Sequence, residues 1–355
     1  MTKVAYSPGS VGNYVTYAEL ADLESSKVKL FNRYVGSFSA EECGSADVVI
    51  YTSFGEYKDF ATFEFIKSHF KNKFVVFVTR QQYLGVPESG SDYKIIKIPT
   101  AHSLYSTWIP HQSMQVDQRM FDKVFLSLNY RASWDRQAMA QFVLSHNLMN
   151  KMYFSYHCGD RFLIGKRTLY DTINSQIGES RTWFNHTIDY EEMYNQLPIF
   201  NGLEELHKVN DWSFGHKDYY EKTFCSVVSE TYTDDNADPF FTEKIFKPMA
   251  YAHPFMIFCS ANSLQLLKSL GFETFGDILD ESYDTIENPQ MRLETIFREM
   301  LRISNLDNKE LQNMYSKVVP TLKHNYNVFW NELPNKYKKD IQLVKEEIQS
   351  LIEKI

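Results

Sequence analysis

The chain has 355 residues, 43% of them hydrophobic and 23% charged, proportions that exclude intrinsic disorder and suit about two folded domains. With only 14 glycines and 11 prolines it is neither collagen-like nor low in complexity, and its formal net charge of −8 excludes a global basic footprint for nucleic acid. Cys43, Cys158, Cys225 and Cys259 are widely spaced with no Cys-x-x-Cys pair, which argues against a zinc knuckle or disulfide scaffold and for free thiols.

In chain order, Lys3–Ser7 reads as a strand running into a loop with Gly9 and Gly12. Val28–Phe31, Asp47–Thr52, Phe74–Thr79 and Tyr93–Ile98 read as further strands, and the apolar spacing within Asp59–Phe70 predicts a helix. Near-continuous apolar strands separated by helices predict a parallel sheet covered on both faces. Periodicity lapses over Ala101–Gln118, which reads as a bridge holding His102, Trp108 and His111. It returns with strand Lys123–Leu128, a helix from Trp134 to Met149 and strand Lys151–Tyr156. Residues 157–222 read as insertions at a sheet edge. A second series follows: strand Thr223–Ser229, helix Thr242–Ala252, strand Pro254–Cys259 and helix Asn262–Leu270, which Gly271 closes. Beyond Pro289 the pattern is helical through Met291–Ile303, Asp307–Tyr326 and Tyr337–Ile355.

The expected architecture is therefore α/β, with a Rossmann-like domain over 1–115, a second over 116–325 and a terminal helix, 326–355, packing across the two. Parallel sheets bind ligands beyond the carboxyl ends of their strands, so two such domains facing a cleft predict a site between them. No run of about 18 apolar residues is present, and the first residues lack the apolar stretch of a secretory signal. The expectation is a soluble, cytoplasmic monomer.

Two segments carry the chemistry. Leu128–Arg136 (LNYRASWDR) follows a strand and opens a helix, placing Arg131 and Arg136 beside a helix start, where guanidinium groups and free N–H groups suit a diphosphate. The plainer alternative is Asp135 pairing with an arginine. In Ser229–Phe258, Glu230 ends a buried strand and Thr242 occupies an N-cap position, with Glu243 and Lys244 in the first turn. A lysine there opposes the helix dipole, so Lys244 calls for Glu243 or a bound anion as partner. The carboxylate suits ribose hydroxyls and the ammonium suits phosphate.

The run Asp238–Lys244 (DPFFTEK), followed by an amphipathic helix and a Pro-containing strand, resembles the donor-binding motif of α1,3-fucosyltransferase-like enzymes, and LNYRASWDR resembles their arginine-bearing loop. The resemblance covers about a third of the chain. It implies a glycosyltransferase of the GT-B fold: Glu243 on the donor ribose, Lys244 on the phosphates, Arg131 or Arg136 neutralising the diphosphate, and Glu230 organising the site near the sugar. Phe240 stands where that family has tyrosine, and the loop between Glu230 and Glu243 is longer. The implied reaction moves a sugar from a nucleotide-diphosphate donor to a hydroxyl of a glycan, a protein or a hydroxymethylated base in DNA. The composition suits a phage- or virus-type, DNA-modifying member acting in the host cytoplasm. Arg131, Arg136, Lys244 and the helix start at Thr242 could stabilise the leaving diphosphate without a metal or other cofactor. An inverting course needs a carboxylate base, for which Glu56, after a strand, is the first candidate. The alternative class is a non-catalytic nucleotide- or glycan-binding module of the same fold. A P-loop kinase is disfavoured because no Gly-x-x-x-x-Gly-Lys-Ser/Thr run occurs.

Overall fold

The computed structural model describes residues 18–32, 46–53, 60–70, 72–79, 86–98, 100, 106, 109, 111–129, 133–156, 196, 199–201, 217–233 and 239–354. The expected strand Lys3–Ser7 and its glycine loop lie outside them. The chain divides into two compact units, one of Met1–Trp108 with Phe329–Ile355 and one of Ile109–Val328. The sequence suggested a division at 115/116 and a terminal helix of its own from 326; the helix is instead counted with the first unit.

The first unit holds a parallel sheet of β1 (Val28–Asn32), β2 (Val48–Ser53), β3 (Phe74–Thr79) and β4 (Tyr93–Lys97), hydrogen-bonded in that order. Alternation of side chains sorts these apolar strands onto two faces. Val49, Tyr51, Val75, Phe77 and Ile95 pack with Phe63, Ile66 and Phe70, contributed by α1 (Phe60–His69) and the residue after it. Val48, Ile50, Val76, Val78 and Ile96 pack instead with Tyr337, Ile341, Val344 and Ile348. Those four residues form a helical stripe, which explains why the last helix returns to this sheet. Edge contacts reinforce it: the Thr100 hydroxyl donates to Asp340 at 2.5 Å, and Lys345 pairs with Asp22 at 3.1 Å.

The second unit contains β5 (Lys123–Asn129), α2 (Trp134–Ser145), β6 (Met152–Tyr156), β7 (Ile199–Asn201), α3 (Lys217–Glu221), β8 (Thr223–Ser229), α4 (Glu243–Ala250), β9 (Phe255–Phe258), α5 (Ser263–Ser269), α6 (Pro289–Ser304) and α7 (Asn308–Asn327). A π-helical turn, Val328–Glu332, precedes α8 (Leu333–Ile352). The strand order is β7-β6-β5-β8-β9, parallel except for β7, which runs antiparallel at the edge. From β5 the chain winds outward one way through α2 to β6; from β8 it winds the other way through α4 to β9. The reversal lies between β5 and β8, the place where open α/β sheets form a crevice at their carboxyl ends. Both units are thus Rossmann-like α/β layers.

Two predicted helices end early. α2 stops at Ser145 because Asn147 turns left-handed at φ 55°, after which Leu148–Lys151 forms a 3-10 turn. α4 stops at Ala250, and Ala252 reverses the chain at φ 46°. Gly271 closes α5 as expected, at φ 102°. No helix among the described residues is long and apolar enough to cross a membrane.

Candidate functional site

The described chemistry gathers at the carboxyl ends of β5 and β8. β8 is buried along its whole length and delivers Glu230, 1% exposed, just past its end. Its backbone N–H donates to the Phe258 carbonyl at 2.9 Å, which extends the β8–β9 pairing and fixes the side chain beneath the start of α4. Glu230 Oε1 accepts the backbone N–H of Thr242 at 3.1 Å and of Ile245 at 3.2 Å, and Oε2 accepts the Thr242 hydroxyl at 2.6 Å. Thr242 Oγ1 in turn accepts the Lys244 N–H at 3.4 Å. The N–H groups that a helix start offers to an anion are therefore used by the protein itself. The helix start at Thr242, expected to face a diphosphate, is a capped end built on Glu230. The carboxylate of Glu230 is part of that scaffold.

Side chains carry the positive charge instead. Lys244 Nζ donates to Thr242 Oγ1 at 2.9 Å and Thr231 Oγ1 at 3.2 Å, and lies 3.8 Å from both Glu230 Oε2 and Glu243 Oε1. The partner that its position demanded is thus met inside the protein by two carboxylates. Its side chain nevertheless remains 24% exposed. Glu243 is less exposed, and burial works to raise its pKa. The charges of Lys244, Lys247 and Arg136, with its own backbone N–H, outweigh burial and hold the carboxyl below the usual range.

Arg136 enters from the other side of the switch point. It is 6% exposed, and Nη2 donates to the Ser229 carbonyl at 3.2 Å and the Glu230 carbonyl at 3.4 Å. Arg136, expected beside a helix start to meet a diphosphate, is a buried strut from α2 to the end of β8. Arg136 and Lys244 consequently meet on one residue, the first at the main chain of Glu230 and the second at its carboxylate. A small crevice of about 30 Å³ opens beside them, lined by Leu126, Leu128, Ser226, Ser229, Lys244 and Lys247. That volume has room for only a water or two and lies well below the range of small-molecule sites.

Phe240 is fully buried, edge-on to Tyr232 at 5.5 Å between ring centroids, and presents no surface to a ligand. Arg131, Glu56, His102, Trp108 and Asp238 lie outside the described residues. Among the described residues no group of three or more His, Cys, Asp or Glu could hold a metal ion.

Two contributors went unread in the sequence. Lys247 follows Glu243 by four residues, the spacing that places a lysine over a glutamate on one helix face, and this signal was available. Arg292, on α6, is 1% exposed and donates to the Thr233 carbonyl at 2.7 Å, to the Glu287 carbonyl at 2.9 Å and to the Ile286 carbonyl. It anchors the segment after Glu230 from a helix about sixty residues away, which no local pattern announces.

The site defined here is an α/β switch-point crevice with a paired carboxylate–ammonium helix start. Neither a family model nor a curated protein matches the chain.

Proposed function

We propose that the chain is a nucleotide-sugar-dependent glycosyltransferase of GT-B architecture, with the second unit holding the donor. The observation that carries this reading is the meeting of Arg136 and Lys244 on Glu230 at the switch point of the second sheet. Departure of a nucleoside diphosphate develops negative charge, and Lys244, with Lys247 and Arg136 behind it, supplies a preorganised positive field for that charge. Glu243, held ionised by the same cations, is an acceptor suited to ribose hydroxyls. Three cations at one strand end supply charge that a divalent metal would otherwise provide, so turnover in the presence of a chelator is the expected behaviour. The base remains assigned to Glu56, and the acceptor to a glycan, a protein or a modified base in DNA.

A thermal-shift screen of nucleoside diphosphates tests the reading. A ligand at ~100 times its dissociation constant adds roughly 2.7 kcal/mol to stability. One diphosphate should raise the melting temperature, and Lys244→Ala should abolish the rise while keeping the fold. No shift with any nucleoside diphosphate, or an undiminished shift in Lys244→Ala, refutes the site. The engagement of Glu230 by α4 favours a second reading, a binding module without turnover, which detectable donor hydrolysis or transfer eliminates.

A further inference from the structure

A groove of about 520 Å³ opens in the first unit at the amino end of its sheet. That is the end opposite the one where parallel sheets take their usual ligands. Unlike the crevice beside Lys244, it has the volume of a small-molecule site. α1 and the residue after it contribute Glu64, Lys67 and Phe70, and the following turn contributes Asn72. Phe74, which opens β3, and Asp92, which precedes β4, complete this outline.

The core holds the walls in place. Tyr93, the first residue of β4, is 8% exposed and meets Phe63 edge-on at 5.0 Å and Phe77 at 6.5 Å between ring centroids. Gly90 lies so close over the Tyr93 ring that a Cβ there would collide with it, so the turn before β4 is moulded to that ring. The same turn is bonded to β4: the Ile95 N–H donates to the Glu88 carbonyl at 2.7 Å and the Gly90 N–H to the Tyr93 carbonyl at 3.0 Å. Lys97 pairs with Glu88 at 2.9 Å. From α1, Lys67 Nζ reaches 3.1 Å from Asp92 Oδ2 and 5.1 Å from the centre of the Tyr93 ring. One ion pair therefore joins the two walls. Asn72, left-handed at φ 64°, turns the chain from α1 into β3 between them.

The lining selects a class of ligand. Glu64 and Asp92 balance Lys67 and Lys73, so no excess of positive charge recruits phosphate or nucleic acid. β4 is an edge strand, but the turn bonded to it occupies this end of the edge, which keeps an extended peptide from adding there. A carboxylate next to an ammonium suits a vicinal diol, because each hydroxyl can donate to the first and accept from the second. Glu64, Asn72 and Ser91 are exposed and make no side-chain hydrogen bond among the described residues, which leaves them open to further hydroxyls. The half-buried ring of Phe74 suits the apolar C–H face of a sugar.

We infer that this groove binds a neutral saccharide, at a site separate from the proposed donor site and independent of it.

Calorimetric titration of the full chain with maltose, cellobiose and lactose at about 10 mM tests the inference, with inorganic phosphate as the charged control. At least one disaccharide should bind with a dissociation constant of about 1 mM or tighter, and phosphate should not compete with it. Asp92→Ala and Lys67→Ala should each weaken that binding about tenfold. Ser68→Trp, at an exposed position of α1 that lines the groove, should abolish it by filling the space, with the melting temperature within about 2 °C of wild type. Lys244→Ala should leave it intact, and failure of every nucleoside diphosphate to bind the second unit would not alter these results. Binding of none of the three disaccharides, competition by phosphate, or undiminished binding in either Asp92→Ala or Ser68→Trp overturns the site. Loss of saccharide binding in Lys244→Ala overturns it too, by moving the sugar to the second unit.

Discussion

Glu230→Ala is the perturbation that most directly tests how the site is built. The substitution removes the acceptor of the Thr242 N–H, the Ile245 N–H and the Thr242 hydroxyl, all beneath the surface, and deprives Lys244 of one of its two carboxylates. Hydrogen bonds to a charged group contribute about 1.5–3 kcal/mol each, and a charge at a helix terminus up to about 2 kcal/mol. These terms overlap on one carboxylate, so their sum overstates the loss; breaking a buried ionic contact from one side costs about 3–5 kcal/mol, and that range is expected here. Glu230→Gln keeps the shape and one acceptor oxygen, and should cost about 1–2 kcal/mol. Urea unfolding of the full chain, followed by far-UV circular dichroism and by tryptophan fluorescence, measures both variants. The two probes also reveal whether the units unfold together or apart. An alanine variant within about 1 kcal/mol of wild type would show that α4 does not stand on Glu230. A glutamine variant as stable as wild type would show that charge is not the property used.

His253 makes a pH prediction. It is 1% exposed; Nε2 donates to the Thr223 carbonyl at 2.9 Å and Nδ1 accepts the Ser226 hydroxyl at 2.9 Å, so the neutral ring is the one that fits. Burial, helped by the charge of Arg119 and opposed by the Thr223 bond, lowers its pKa to about 3. Because the unfolded ring takes a proton near pH ~6.5 and the folded one does not, stability falls as pH drops below that value, at up to about 1.4 kcal/mol per pH unit. Melting temperatures between pH 7 and about 4.5 should decline less steeply in His253→Asn than in wild type; parallel curves contradict the assignment. Glu243, whose pKa is lowered, stabilises fully above the range where an unfolded carboxyl titrates, and that contribution is lost as pH falls through this range and below it. In the first unit, Ile348→Ala should destabilise by about 2–4 kcal/mol, since the side chain is fully buried against the sheet. An effect below about 1 kcal/mol in chemical denaturation would detach α8 from that core.

The fold was legible where local pattern and tertiary demand agree. Phe74–Thr79 and Thr223–Ser229 are apolar runs of strand length, and both became strands with those bounds. Thr242 was readable as an N-cap because its hydroxyl acts within one helical turn. β7 was not readable: Ile199–Asn201 is three residues long, too short to show an alternation, and is ordered by pairing with β6. The stripe Tyr337, Ile341, Val344 and Ile348 was legible as an apolar helix face, but the sheet it covers is set by contacts across most of the chain.

The site divides along the same line. Glu243 and Lys244 are neighbours, and their pairing is a local fact. The fate of Arg136 turns on carbonyl groups more than ninety residues away, and that of Glu230 on N–H groups beyond a long loop. Charge type alone predicted a cationic strand end but could not tell an exposed guanidinium from a buried one. That difference bears on mechanism. A guanidinium spent on carbonyls shapes the floor of a crevice and contributes its field from below, whereas Lys244, still partly exposed, can exchange its contact with Glu230 for a phosphate oxygen. Losing Lys244 should therefore weaken ligand binding with the fold intact, while losing Arg136 should weaken the junction of α2 with β8 first and binding as a consequence.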